Sequence, residues 1–440
     1  MNLNYKRTFF MGLAFLSICS FWQLYDTIIP LMLKNTFGLG ETITGIVMAL
    51  DNVLAIFLLP IFGAFSDKID TPIGKRTPFI IGGTLIAVIF MILVPIADKQ
   101  NNFIFFVVAL FILLLAMGFY RSPAVALMPD LTPKPLRSKA NAVINLMGAA
   151  GGVYTLIMIK VLIKKVEHPN YLWVYVSVAI LMIAAVVILK LTINEKKLSK
   201  ELDISSTVID NIITDSTTNA ETNVIEEKGK SDRTHILEPE VKISLTFLLM
   251  SIFLWFTAYN AVTTAFSRYA GEVWGLHGGS FANTLLVATI AAILSYIPIG
   301  AISSIIGRKK TILAGIALMT IAYLLGILFI SYSPLINVVF ALTGIGWAAI
   351  NVNSYPMVVE MSLGTDVGKY TGLYYTFSMA AQILTPIISG FFLEHISYRT
   401  LFPYAVIFSI LSFSTMLFVK HGDSKPMKRS NALDSFDIDD

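Results

Sequence analysis

The chain has almost no cysteine, few histidines and little charge, and each shortage excludes a class of protein. A single cysteine, Cys19, rules out an intramolecular disulfide framework, and its place inside an apolar run reads as packing, not metal ligation. The five histidines, His168, His235, His277, His395 and His421, show no metal-binding spacing and read as solvated loop, linker and tail residues. No Walker loop is present, so nothing supports ATP-driven pumping, and no other enzyme or cofactor motif competes. Charged residues are 14% of the sequence, against roughly 25% in a soluble domain. The net charge of +4 is scattered through short loops, which disfavours nucleic acid as a partner.

What is abundant is apolar sequence: 56% of residues, with a mean hydropathy of +0.74. A water-soluble fold could not cover that surface, so the solvent implied is a bilayer. Apolar runs long enough to cross it recur over residues 9–33, 43–65, 77–97, 103–128, 140–163 and 171–192, then 244–266, 281–304, 310–331, 335–359, 369–393 and 400–419. The first has the basic start of a secretory signal, but it continues to Leu33 and has the bulky Ile18 before Cys19, so it reads as an uncleaved helix. The fold expected is an all-α membrane protein of twelve transmembrane helices in two pseudo-symmetric six-helix bundles, 1–192 and 244–420. Residues 193–243, rich in Ser, Thr, Asn, Glu and Lys, read as a flexible cytoplasmic linker, and 421–440 as a cytoplasmic tail.

With the N-terminus inside, inward loops and tails carry roughly 16 basic residues and outward loops roughly six. This bias places both termini in the cytoplasm of a cell that holds the protein in its plasma or inner membrane. The halves also look duplicated. Gly63-Ala64-Phe65-Ser66 followed by Gly74-Lys75-Arg76 recurs as Gly300-Ala301-Ile302-Ser303 followed by Gly307-Arg308-Lys309. Arg121-Ser122-Pro123 and Arg137 align without gaps to Asn353-Ser354-Tyr355 and Lys369.

Gly63, Ser66-Asp67 and Gly74-Lys75-Arg76-Thr77-Pro78-Phe79 resemble the loop signature of the major facilitator superfamily, in the form seen in sucrose/proton symporters and glycoside-pentoside-hexuronide carriers. Pro123-Ala124 through Leu127, Asp130-Leu131-Thr132-Pro133 and Arg137-Ser138 with Ala140-Asn141 resemble the fourth and fifth helices of the same group. The resemblance implies a secondary transporter working by alternating access, with a sugar and a proton as partners. Plant-type sucrose carriers have an arginine where this chain has Val125. Here the arginine is Arg121, four residues earlier on the same helical face.

Ionisable groups inside a span cost ~2.5–3.5 kcal/mol on insertion scales and point to function. Three stand out: Asp26, Asp51 and Arg121. At ~1.5 Å per residue, Asp26 lies ~10 Å and Asp51 ~12 Å from the outer ends of their helices, a shared depth that suits proton coupling. The competing reading is structural, as helix caps or interhelical hydrogen bonds. Arg121, ~27 Å from the outer end of its helix, falls in the inner half, too far for direct pairing with either aspartate and suited to a gate or a partner near Asp130. A sugar site needs flat apolar faces and several amides. Trp22, Gln23, Trp347 and Gln382 fall near the midplane, with Asn145, Asn260, Asn351 and Asn353 further out. Each also has an ordinary packing reading. Asp67, Lys75, Arg76, Asp130 and Arg137, at cytoplasmic helix ends, suit a latch that separates as the halves rock, or serve topology alone.

The function expected is proton-coupled import of a sugar or glycoside, a disaccharide such as sucrose or maltose, by a protein acting as a monomer. The alternatives are a proton-driven exporter of amphipathic compounds and a non-transporting receptor built on a carrier fold.

Overall fold

In the computed structural model, residues 3–133, 136–166, 169–200, 239–361 and 367–423 are described, and among them helices are the only extended elements. A chain this apolar has no water for its backbone, so helices that satisfy their own N–H and C=O groups are its route across the bilayer.

The first half comprises α1 (Tyr5–Asn35), α2 (Glu41–Lys68), α3 (Thr77–Lys99), α4 (Phe103–Asp130), α5 (Arg137–Leu162) and α6 (Leu172–Thr192). The second comprises α7 (Pro239–Trp274), α8 (Ala282–Ile306), α9 (Arg308–Ile327), α10 (Ile336–Glu360), α11 (Val367–His395) and α12 (Leu401–Leu417). All twelve expected spans are present, each long and apolar enough to cross. Local chemistry sets several starts: Asn4 accepts from the Arg7 N–H and Asn102 from the Phe105 N–H, both at 3.0 Å, and Pro78 sits in the first turn of α3.

Each half is a bundle with equivalent neighbours. In the first, α1 packs on α5 and α6, and α3 on α4 and α6; in the second, α7 packs on α11 and α12, and α9 on α10 and α12. The halves meet through α2 against α11 and α5 against α8. One end of the molecule, the terminal face, carries Tyr5, the ends of α6 and α12 and the start of α7. The opposite end is the far face.

The parts of 193–243 and 421–440 that are described pack onto the bundles. Residues 195–200 are helical, and the buried Glu195 accepts hydrogen bonds from the Lys75, Arg76 and Thr77 N–H groups at 2.7–2.8 Å and from the Thr77 hydroxyl at 2.7 Å. It satisfies the orphan donors at the start of α3, where the helix dipole favours an anion. In the second half Asp423 accepts from the Lys309 N–H at 3.0 Å at the start of α9. Gly74 and Gly307, both at positive φ, sit where a Cβ would run into these two carboxylates. The Nδ1 of His421 lies 2.8 Å from the Ser244 hydroxyl, so this histidine is not simply solvated. His168 and His235 lie outside the described residues.

Candidate functional site

Counting back from Tyr25-Asp26 on α1 and Tyr259-Asn260 on α7 exposes the internal repeat at its most detailed. Ser17 matches Ser251, Phe21 matches Trp255, Trp22 matches Phe256 and Lys34 matches Arg268, all at one spacing of 234 residues. The repeat is symmetric in shape and asymmetric in charge: Asp26 has the neutral Asn260 opposite it, and Arg121 has Asn353.

Trp22, Asp51, Leu54, Leu58, Gly118 and Arg121 line one narrow cleft between α1, α2 and α4. The Arg121 guanidinium stands over the Trp22 ring, 5.5 Å from its centroid. Arg121 also lies within electrostatic reach of both Asp26 and Asp51. No ion pair joins Arg121 to either aspartate among the described residues, in keeping with its depth along α4. That it nevertheless comes within range of both has a directional cause. Side chains lean toward the N-terminus of their own helix, so Arg121 leans from α4 toward the far face while Trp22 and Asp26 lean from α1 toward the terminal face. The long arginine stem narrows the gap without bringing the groups into contact.

Asp51 accepts from the Asn52 side-chain amide at 2.8 Å, and Asp26 has no hydrogen-bond or ion-pair partner among the described residues. The Trp22 indole N–H is buried without a protein acceptor, next to Phe21 and Tyr25 in edge contacts. Gln23 donates to the Thr27 hydroxyl at 3.0 Å.

On the opposite half, Trp347 stacks on Tyr259, with centroids 3.9 Å apart and planes 6° from parallel, and meets Phe256 edge-on. Asn260 beside Tyr259 keeps its side-chain N–H₂ buried without a protein partner. Gln382, half-buried on α11, donates to the Ser378 carbonyl at 3.3 Å. Asn145 is exposed on α5, and Asn351 is exposed on α10 with the Tyr296 hydroxyl 3.5 Å away. Asn353 turns into the helix packing: it is 1% exposed and donates to the Ala349 carbonyl at 2.8 Å.

At the terminal face, Arg76 is held by Asp130 at 2.8 Å, by Asp67 and by the Ser66 hydroxyl. Burial opposes its charge, and the two carboxylates more than offset this, so the guanidinium holds its proton more firmly than a free one. This cluster lies wholly within the first half. Lys75 is exposed and joins only through its backbone, and Arg137 is exposed and donates to the Thr132 carbonyl at 3.3 Å. Arg308 and Glu360 form the matching pair in the second half.

The contacts that bridge the halves are all at the far face among the described residues. Arg268 on α7 donates to Glu41 on α2 at 2.6 Å, Lys34 pairs with Glu272 and lies 3.8 Å from Glu41, and the Tyr398 hydroxyl reaches Glu41. Glu394 accepts from the Thr42 N–H at 2.8 Å, and Lys160 donates to Asn283 at 2.9 Å. Gly45 abuts the Pro386 carbonyl so closely that a Cβ would come within 2.1 Å of it. The far face is sealed, while nearer the terminal face Ile56, on the same stripe of α2 as Gly45, and Tyr375 of α11 are exposed. The Glu41–Arg268 pair, whose partners are 227 residues apart, has no local signature in the sequence.

Two bundles of six spans that join at a sealed far face, with the charged Asp51 and Arg121 in a cleft of the first, have the frame of a multi-pass membrane transporter. The Major Facilitator Superfamily model matches residues 11–295 and 275–436, and the chain belongs to that family. Among curated proteins it is similar to the sucrose transport protein SUC3 of Arabidopsis thaliana, 25% identical over 138 residues, 27% of this chain and 23% of the relative. The match thus spans less than a quarter of that protein's length. Among solved structures it is similar to the nucleoside transporter NupG, at 15% identity and TM-score 0.66, covering 94% of this chain and 100% of that one. It also resembles a POT family transporter in complex with a peptide conjugate, at 10% identity and TM-score 0.65, covering 94% and 95%. The human organic anion transporter MFSD10 matches at 13% identity and TM-score 0.60, covering 95% and 100%. At these identities the likeness is one of fold.

Proposed function

We propose that the protein imports a sugar or glycoside, a disaccharide such as sucrose or maltose, together with protons by alternating access. The observation that carries this reading is the meeting of Asp51, Arg121 and Trp22 in one cleft, with Asp26 in reach of the same arginine. Membrane-buried carboxylates beside a single cation can take up and release a proton as the cation's distance changes. Trp22, Gln23, Asn260, Trp347 and Gln382 supply the flat faces and amides that a polyhydroxylated ring needs. The short stretch of similarity to a sucrose transport protein favours the same substrate class.

With the terminal face in the cytoplasm of the plasma or inner membrane, the arrangement is the inward-facing state. Glu41, Arg268, Lys34 and Glu272 close the outside, and Asp67, Arg76 and Asp130 wait at the inner ends to latch when the halves rock. The protein acts as a monomer. Counterflow of labelled sugars into vesicles of purified protein tests the assignment. Exchange of at least one disaccharide is expected. No exchange of any mono- or disaccharide, together with gene-dependent resistance to amphipathic drugs, would replace it with export.

A further inference from the structure

α11 has one face turned to the first half and another turned away. Its Pro386 and Gly390 touch α2 at Gly45 and Glu41. Three turns before Pro386 on the same helical face is Tyr375, with Gln382 between them, the i, i+7, i+11 spacing of one stripe. Leu384, Ile388 and Phe391, exposed by 43%, 38% and 49%, lie on the opposite side, where lipid belongs. Tyr375 is 54% exposed, and its place on the stripe that meets α2 turns it to the passage and away from the lipid side.

Its surroundings present it rigidly. Tyr374 and Tyr355 pack against it with centroids 5.5 and 6.5 Å away. Each is pinned by its own hydroxyl, Tyr355 to Thr371 at 3.0 Å and Tyr374 to Ser354 at 3.2 Å, whereas the Tyr375 hydroxyl has no protein partner among the described residues. Across the passage, Arg121 lies nine residues from the terminal-face end of α4, and Tyr375 eight from that of α11, so their Cα atoms both sit ~12–14 Å in, with the arginine leaning toward the far face and the tyrosine toward the terminal face. They are within electrostatic reach of each other.

We infer that Tyr375 is a substrate-contacting, specificity-determining residue that takes the C–H face of a sugar ring, with Arg121 opposite it meeting the ring's hydroxyls. The inference rests on the sugar-carrier reading above. An exposed, backed aromatic across the passage from a guanidinium within electrostatic reach leaves a slot with one apolar and one polar wall, which suits a ring with a C–H face and a hydroxyl rim.

Counterflow of labelled sucrose and maltose by the full-length protein in vesicles tests it. Tyr375→Ala should raise the half-saturating concentration roughly three- to tenfold with little change in maximal rate, the size of a lost ring contact, and Tyr375→Phe should recover most of the affinity. Should Tyr375→Ala fail to fold, Tyr375→Leu, which keeps volume without the ring, must show the same loss. Wild-type affinity in the ring-less variant overturns the role of Tyr375 alone. Absence of any sugar exchange by the wild type overturns the carrier reading and this inference with it.

Discussion

Glu41 on α2 accepts a hydrogen bond from Arg268 on α7 at 2.6 Å, and the two side chains are 3% and 5% exposed. A buried ion pair adds little net stability, but removal of one partner strands the other charge, at about 3–5 kcal/mol. The cost falls only on the state in which the far face is closed. Glu41→Ala should therefore favour opening there. With Cys19 replaced by serine and a cysteine at the buried Thr44 as reporter, alkylation from the far side should accelerate at least tenfold. The swap Glu41→Arg with Arg268→Glu should restore part of the protection, and unchanged labelling in Glu41→Ala would remove this pair from the seal.

Gly45 makes the same point sterically. A Cβ there would sit 2.1 Å from a backbone oxygen, which cannot swing aside like a flexible side chain. Gly45→Val should hold the far face apart and cut transport severely while leaving the protein folded. Spin-label distances between α2 and α11 near that face should lengthen. Wild-type distances would show that the close approach is dispensable.

Glu195 supports α3 through three backbone N–H groups and one hydroxyl, while Asp423 has a single backbone N–H at α9. Glu195→Ala should lower thermal stability by about 1–3 kcal/mol, the range for leaving buried donors unsatisfied, and Asp423→Ala by less. The reverse order in thermal melts would contradict Glu195 as the stronger of the two caps.

In the proposed function, Asp26 and Asp51 carry the coupling. Asp26→Asn and Asp51→Asn should each abolish accumulation against a gradient and still permit exchange of bound sugar, because the amide keeps the shape and loses the titrating proton. Full accumulation in both variants would assign them structural roles.

The twelve spans and the duplication were legible because hydropathy over a fixed bilayer thickness is a local property of sequence. The membrane charges Asp26, Asp51 and Arg121 were legible for the same reason, being rare where they are costly. Arg121 pairs directly with neither aspartate, as its depth indicates, but its place over Trp22 was not legible, since counting residues along a helix gives the depth of Cα and ignores where the side chain leans. Asn353 looked like a substrate amide and is instead turned into packing, a rotation about the helix axis that composition does not reveal. Glu195 was hidden among charged residues that read as solvated. Glu41 and Arg268 each looked like an ordinary helix-end charge, and only the docking of two halves distant in sequence makes them a pair.

The most direct measurement is uptake of a labelled disaccharide by vesicles of purified protein with and without an imposed pH gradient, acidic on the far-face side. Accumulation above the external concentration is expected, collapsing to equilibration when a protonophore is added. Uptake that reaches the same level with the gradient present, absent or reversed would contradict proton-coupled import.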